Sequence, residues 1–215
     1  MLFQAQRSQR VQGGPDGAEA RPTRGTGILE SLLASIRMRA ALASLPTPAP
    51  ADALLDIGCG ARPWFLMRTS FDRRVGLDQL APAEGAWPAG VEMIRATLAG
   101  EMRLPFPDSA FACVTCLAVI EHLDPAGLPT LLAEMRRVLR PGGRLILTTP
   151  HAASDPVLRI LARIGLVSRE EIEEHQVLFR HRDLRALLRN ARFPEPGIRV
   201  RGFLGGWNIL ALAEV

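Results

Sequence analysis

The sequence predicts an α/β fold built on a doubly wound, mostly parallel sheet. From Ala53 onward, short apolar runs alternate with helical patterns, as in chains that wind strands and helices in turn. The strand candidates are almost continuously apolar, which is typical of parallel strands buried on both faces. With 215 residues the chain is long enough for one domain with a sizeable core.

The chain begins with a segment that does not fit this pattern. Residues 1–27 are rich in Gly, Arg, Gln and Pro without an apolar period, so we expect a disordered tail. From Ile28 to about Leu45, apolar residues recur on one face and predict an amphipathic helix. The run Pro46–Pro50 ends this helix and links it to the main domain of residues 51–215.

Seven segments of the main domain have the composition of strands. They are Ala53–Ile57, Arg74–Leu77, Val91–Arg95, Ala112–Ala118, Arg144–Thr149, Ile198–Phe203 and Asn208–Ala213. The clearest helix starts near Leu128 and ends before Pro141-Gly142-Gly143, a strong helix stop. Two further helices are predicted over about Pro156–Ile164 and Arg182–Asn190.

Composition excludes several kinds of chemistry. All 26 basic residues are arginine, so a lysine Schiff base and a P-loop are ruled out. They face 22 acidic residues, and the net charge is +4. Part of the basic excess lies in the first 24 residues, where a solvated end is favoured over an arm that binds nucleic acid or anionic lipid. We expect no DNA partner.

The cysteines indicate a reducing compartment. Cys59, Cys113 and Cys116 are too few for a disulfide framework, so we expect a cytoplasmic protein. Cys113 and Cys116 lie in an apolar strand, whose two-residue period sends them to different faces, and no second pair completes a metal site. We therefore expect no metal. The sequence shows neither a signal-peptide core nor 18 consecutive apolar residues, so we expect no transmembrane segment.

The most informative segment is a glycine turn after the first strand candidate. In Leu54–Gly60 the strand reaches Asp56 and continues into Gly58 and Gly60, which let backbone approach a ligand at a strand-to-helix turn. Asp56 could hold a cationic group or brace the N–H groups of the turn. Asp78 ends the next strand, and a carboxylate there suits the two hydroxyls of a ribose. Together they predict an adenosine-containing ligand.

Six segments in order resemble the class I S-adenosylmethionine-dependent methyltransferases, in their small-molecule branch. They are Leu54–Gly60, Val75–Asp78, Leu104–Phe111, Ile120–Leu123, Glu134–Gly143 and His181–Leu188. The resemblance implies a Rossmann-like methyltransferase fold with seven strands, the last antiparallel, and Gly205-Gly206 fits the final hairpin. It also implies S-adenosylmethionine as cofactor, a small-molecule methyl acceptor, and a monomer or homodimer.

The resemblance also implies which residues contact the cofactor. They are Asp56, Gly58, Cys59, Gly60, Asp78, Gln79, Thr97, Leu98 and Leu117. Asp78 would bind the ribose hydroxyls, and Leu117 would lie near the methyl group. We expect the helix 28–45 to cover the cofactor cleft or form part of a lid. Residues 156–167 are interpreted as a lid rather than a membrane contact.

Three positions depart from the family pattern. Arg62 stands where many members have a third glycine, Thr97 replaces a usual Asp that binds the adenine amino group, and Ala112 stands where an Asp is common. These departures keep open a non-catalytic, methyltransferase-like binding subunit. A nicotinamide dehydrogenase would want another glycine in the turn, where Pro63 stands. RNA methylation is less favoured, because no Asn/Asp-Pro-Pro-aromatic tetrad follows the fourth strand.

Two histidines are candidates for a general base. His122 follows the fourth strand and His151 the fifth, both at the edge of the sheet where the ligand is expected. Each could instead fix a loop by hydrogen bonding. The resemblance places His175 beside a late helix, and His181 begins that helix.

Overall fold

The computed structural model describes residues 29–82, 87–98, 103–168 and 176–215, and these contain a seven-stranded sheet. The strands are β1 (Ala53–Ile57), β2 (Arg73–Asp78), β3 (Val91–Arg95), β4 (Phe111–Leu117), β5 (Leu139–Pro150), β6 (Arg199–Phe203) and β7 (Asn208–Glu214). Their order is β3-β2-β1-β4-β5-β7-β6. Neighbours from β3 to β5 are parallel, whereas β7 is antiparallel to both β5 and β6. The predicted strands and the antiparallel last strand are confirmed.

Four α-helices flank the sheet within the described ranges. They are α1 (Glu30–Leu42), α2 (Leu128–Val138), α3 (Asp155–Arg163) and α4 (His181–Asn190). Each matches a predicted helix to within a few residues. None of the helices in these ranges is long and apolar enough to cross a membrane. The predicted tail of residues 1–27 and His175 lie outside the described residues.

The strand-to-helix turn expected at Gly58 and Gly60 is not followed by an α-helix. A single 3₁₀ turn, Leu66–Arg68, follows Gly60 instead. Pro63 disfavours helical backbone at residue 62, so the turn begins only at Pro63, whose carbonyl accepts a hydrogen bond from the Met67 N–H over 3.0 Å. The Thr69 hydroxyl then donates to the Leu66 carbonyl over 2.9 Å and ends the turn.

One face of the sheet, which we call the α2/α4 face, carries the larger apolar cluster. Leu132 and Met135 of α2 and Leu184 of α4 pack there with Leu55 and Val114 of the sheet. All of these residues are buried, and their side chains are fixed by close packing from both layers. This face supplies most of the hydrophobic core.

The opposite face, which we call the α1 face, carries a smaller cluster. Met38 of α1 and Phe65 pack there against Leu54, Cys113 and Ile146 of the sheet. Cys116 belongs to the cluster on the other face, so the prediction that Cys113 and Cys116 point to different faces is confirmed.

Helices α1 and α3 meet beyond the carboxyl ends of the parallel strands. Leu29 and Leu33 pack against Leu158, Ala162 and Val167 in a small apolar cluster. The backbone N–H of Leu29 also donates to the carbonyl of Leu166 over 2.9 Å. The two helices therefore form a connected layer above the sheet edge where ligands bind in folds of this kind.

Candidate active site

A cavity of about 580 Å³ lies at this edge, between the strand ends and the layer formed by α1 and α3. All of the residues predicted to contact the cofactor line it: Asp56, Gly58, Cys59, Gly60, Asp78, Gln79, Thr97, Leu98 and Leu117. They converge because β1 to β4 are parallel and end at the same edge of the sheet. Helix α1 contributes Leu33 and Met38, and the α3 region contributes Leu158 and Val167, so both predicted covers do border the cavity.

The glycine turn leaves backbone open toward the cavity. Gly58 and Gly60 have φ angles of 78° and 74°, a conformation that side chains rarely allow. A Cβ at Gly58 would approach Cγ2 of Val119 to 2.2 Å, whereas a Cβ at Gly60 would meet nothing within 4 Å. Gly58 is therefore required by packing, and Gly60 leaves a space that a ligand can fill.

Asp78 fixes the turn and borders the cavity at the same time. Its Oδ2 accepts a hydrogen bond from the Gly60 N–H over 2.9 Å, and its Oδ1 accepts one from the Leu80 N–H over 2.7 Å. Both oxygens therefore hold the backbone around the turn, and the carboxylate lies where ligand hydroxyls would enter the cavity. The carboxylate is buried and therefore held in one orientation.

Asp56 lies inside β1 and interacts with the neighbouring strand. Its Oδ1 accepts a hydrogen bond of 2.6 Å from the Thr115 hydroxyl. Burial raises the pKa of Asp56 to about 7, the hydroxyl of Thr115 opposes this shift, and the charge of Asp78 adds to it. Of the two roles predicted for Asp56, bracing the turn belongs to Asp78, and Asp56 presents a carboxyl group to the cavity.

The remaining predicted contacts lie around these two carboxyl groups. Gln79 and Thr97 are exposed at the rim, and Leu98 is half-buried. The Cys59 thiol contacts the Gly60 carbonyl at 3.5 Å, and burial raises its pKa, so it remains a neutral thiol. Leu117 ends β4 and is followed by Ala118 with a φ of 56°, a strained conformation for a residue other than glycine and one often found at binding sites.

The structure brings one of the two candidate bases to the cavity. His122 lies in the 3₁₀ turn Ile120–His122 after β4 and lines the cavity. His151 is not among the residues that line it. Its Nδ1 accepts a hydrogen bond from the Ala153 N–H over 3.0 Å, and its ring centroid lies 5.0 Å from that of His181. Burial, with the nearby His181 and Arg180, lowers the pKa of His151. These contacts favour the loop-fixing role for His151, and a catalytic role for either histidine stays a prediction.

Sequence reasoning missed two polar residues that line the cavity, Arg37 and Asn208. Arg37 shares one face of α1 with Ala34, Met38 and Ala41, so an arginine interrupting an apolar stripe was the available signal. Trp64 offers a buried indole N–H with no hydrogen-bond partner in the described part of the chain. Nothing in the sequence separated Asn208 from an ordinary strand residue.

The residues that line the cavity supply carboxyl, guanidinium and amide groups, but not a metal site. Among the described residues, no three His, Cys, Asp or Glu side chains are grouped so that they could hold a metal ion. The open glycine backbone beside a fixed carboxylate fits a nucleoside ligand instead.

Comparison with known proteins agrees with this geometry. The family model described as "Methyltransferase domain" matches residues 27–193, which is most of the chain. The chain belongs to this methyltransferase family. The resemblance to class I S-adenosylmethionine-dependent methyltransferases is thereby confirmed, although Arg62, Thr97 and Ala112 depart from the usual pattern.

Two curated relatives each match about half of the chain. It is 32% identical over 111 residues to the uncharacterized methyltransferase YcgJ of Bacillus subtilis, covering 49% of the chain and 43% of that protein. It is 35% identical over 122 residues to 27-O-demethylrifamycin SV methyltransferase of Amycolatopsis mediterranei, covering 53% of the chain and 44% of that protein. The chain therefore spans less than half the length of these two curated relatives.

A solved structure shows the same fold. An S-adenosylmethionine-dependent methyltransferase from Mesorhizobium loti superposes with a TM-score of 0.60 at 18% identity, over 82% of this chain and 96% of the other. The seven-stranded sheet with its reversed last strand is thus the fold of known methyltransferases.

Proposed function

We propose that this methyltransferase moves a methyl group from S-adenosylmethionine to a small organic acceptor. The observation that carries the proposal is the pairing of Gly60, which opens onto the cavity, with Asp78, whose carboxylate lies 2.9 Å from the Gly60 nitrogen. Relatives are named for small-molecule acceptors, such as 27-O-demethylrifamycin SV. Membership of the methyltransferase family supports the same reaction class.

The residues present fit the cofactor portion by portion. Asp78 can accept hydrogen bonds from the two ribose hydroxyls while it still holds the turn. Thr97 and Leu98 would border the adenine at the rim, and the open backbone at Gly60 would lie against the ribose and methionine portions. Arg37, a half-buried guanidinium on the opposite wall, would pair with the carboxylate of the methionine portion.

The protein contributes to methyl transfer mainly by aligning the acceptor with the methyl group, and less by supplying reactive side chains. When bound, S-adenosylmethionine supplies an electrophilic methyl group on a positively charged sulfur. Holding an acceptor in line with such a group can contribute about 7–11 kcal/mol. Helices α1 and α3 cover the cavity and reduce the access of water to it. His122 would accept the proton of an O–H or N–H acceptor, an effect of about 10²–10⁴-fold.

The first test is calorimetric titration with S-adenosylmethionine and S-adenosylhomocysteine, with NAD as a negative control. We expect micromolar binding of the first two and none of NAD. No binding by the intact chain would contradict the proposal and favour a methyltransferase-like subunit that acts through a partner.

The ribose assignment is tested by Asp78→Ala. Two hydrogen bonds to a charged acceptor are lost, so the Kd for S-adenosylhomocysteine should rise by about 100-fold or more. Asp108→Ala is the control, because Asp108 is exposed and pairs with Arg137 outside the cavity. Equal affinities of the two variants would remove Asp78 from the ribose site.

A general base is tested by His122→Gln in an assay with a tritiated methyl donor and a panel of acceptors. Cofactor affinity should be unchanged, because His122 is assigned to the acceptor, and kcat should fall about 10²–10⁴-fold for acceptors that carry a proton. His151→Gln serves as the comparison, since His151 does not line the cavity. An equal loss in both variants would contradict the assignment of His122.

A further inference from the structure

The cavity extends beyond the cofactor contacts to a second group of residues, which we call the β7 subsite. The β7 subsite consists of Leu33, Pro150, Leu158, Val167, Trp207 and Asn208, all of which line the cavity. Five of the six have side chains with apolar surfaces, and Asn208 supplies the one amide. The β7 subsite is therefore mostly apolar, whereas the end of the cavity formed by Asp56, Gly60 and Asp78 is polar.

Strand direction explains why this subsite exists. β7 is antiparallel, so its first residue, Asn208, lies at the edge where β5 ends, paired in register with Pro150. The His151 N–H donates to the Trp207 carbonyl over 2.8 Å and fixes the entry into β7. β4 and β5 separate this end from β1 and β2, which carry the glycine turn and Asp78. A molecule bound here lies beside the cofactor contacts rather than among them.

Within the β7 subsite, Asn208 is a polar group that the fold leaves without a partner. Its side chain is buried, with 6% of the residue exposed. Its Oδ1 has no hydrogen-bond partner among the residues that the structure describes. Thr115, a buried polar residue on the same face of the sheet, does have a partner in Asp56. A buried amide oxygen without a partner destabilises the protein, so a ligand that donates a hydrogen bond would compensate for it.

We propose that Asn208 accepts a hydrogen bond from a hydroxyl group of the methyl acceptor, and that the apolar walls of the β7 subsite bind a hydrophobic ring system carrying that hydroxyl. This inference rests on the proposed function, because it assigns the acceptor end of the same cavity. Leu158 and Val167 press on the ring from the α3 side, and Trp207 borders it at the hairpin. The acceptor class is therefore a hydroxylated aromatic or polycyclic compound.

The experiment compares two probes of similar size that differ in the hydroxyl group. Equilibrium dialysis of protein saturated with S-adenosylhomocysteine measures the Kd of 2-naphthol and of 2-methylnaphthalene. The intact protein should prefer 2-naphthol by about tenfold, the effect of one neutral hydrogen bond. Asn208→Leu should abolish this preference by weakening the binding of 2-naphthol alone.

Two controls separate the amide from its surroundings. Asn190→Leu changes the other asparagine of the chain, which is exposed at the end of α4, and should keep the preference. Where Asn208→Leu does not fold, Asn208→Ala gives the same comparison with a smaller side chain. S-adenosylhomocysteine should bind each folded variant as it binds the intact protein.

The outcomes distinguish the two proposals. Intact protein that binds S-adenosylhomocysteine but shows no preference for 2-naphthol would overturn the role of Asn208 alone. A preference that survives in Asn208→Leu or in Asn208→Ala would do the same. Failure of the intact protein to bind S-adenosylhomocysteine would overturn the proposed function, and this inference with it.

Discussion

The α2/α4 face and the α1 face of the sheet contain different kinds of buried residue. Under α2 and α4, Leu132 and Met135 pack with strand residues in the larger apolar cluster. Alternation along β1, β4 and β7 places Asp56, Thr115 and Asn208 on the other face, with Leu54, Cys113 and Leu210 of the smaller cluster. The α2/α4 face is largely apolar, although Thr149 of β5 is buried there, whereas the α1 face keeps buried polar groups, two of which, Asp56 and Asn208, line the cavity.

This difference indicates how stability and function are divided in the protein. Burying a carboxyl group or an unpaired amide costs free energy, whereas burying leucine releases it. The buried polar groups of the α1 face therefore lower the free energy of unfolding, and the same groups form the binding site. Substitutions on the two faces should have opposite effects on stability and on ligand binding.

The largest expected effect is the pH dependence caused by Asp56. Native Asp56 keeps its proton up to about pH 7, whereas the unfolded chain releases it near its ordinary pKa of 3.8. The unfolded state therefore binds fewer protons between these values, and stability falls as the pH rises through this window. The loss from this group is on the order of 4 kcal/mol. Urea unfolding measured from pH 4 to pH 8 checks it.

Asp56→Asn should remove this component of the pH dependence and make the protein more stable at pH 8, while cofactor affinity falls. Asp108→Asn, on an exposed and ion-paired carboxylate, should leave the component in place. An Asp56→Asn variant that keeps the slope would show that the α1 face does not carry this cost.

The opposite effect is expected from Leu132→Ala on the α2/α4 face. Leu132 is 1% exposed in the larger cluster, so the cavity left behind should lower the free energy of unfolding by about 2–5 kcal/mol. Affinity for S-adenosylhomocysteine should not change at temperatures where the variant is folded. Leu32→Ala is the matched control, because Leu32 is 54% exposed. A change in affinity for Leu132→Ala would remove the functional distinction between the two faces.

Most of the sheet and the cofactor end of the cavity could be predicted from the sequence, because local patterns determine them. Apolar runs marked all seven strands, and Leu54–Gly60 with Asp78 marked the place where two strand ends meet a ligand. Strand ends lie together in any parallel sheet, so spacing along the chain was sufficient information.

The rest of the site depends on packing that no local pattern records. Arg37 reaches the cavity because α1 packs across the strand ends, and Asn208 reaches it because β7 is reversed. His151 follows β5 as predicted, but it contacts Ala153 and His181 instead of lining the cavity. No α-helix follows Gly60, and the short turn that begins at Pro63 ends at Thr69, which no pattern in the sequence marked.

A smaller effect is expected from Arg37 on the α1 face. Arg37→Gln removes a charge from the cavity wall, so the Kd for S-adenosylhomocysteine should rise about tenfold, as for the loss of one hydrogen bond to a charged group. Arg39→Gln changes an exposed arginine of the same helix that does not line the cavity, and it should bind normally. Titration calorimetry compares the two. Equal affinities would place the methionine carboxylate elsewhere in the cavity.

The smallest effect is a difference between the two faces in the rate of local unfolding, which is the opening that exposes their buried cysteines. Cys113 lies under α1 and Cys116 belongs to the α2/α4 cluster, and burial raises the pKa of both thiols, so each should react with a thiol reagent only when its face opens. The labelling rate of each thiol can be followed by mass spectrometry in variants that keep one cysteine. Cys113 alone remains in Cys59→Ala with Cys116→Ala, and Cys116 alone remains in Cys59→Ala with Cys113→Ala. Cys113 should be labelled faster, because the smaller cluster holds α1 less firmly.

S-adenosylhomocysteine should slow the labelling of Cys113 more than that of Cys116, since α1 lines the cavity that binds this ligand. Equal rates with and without the ligand would mean that the two faces open together, and that the division between them concerns composition and not dynamics.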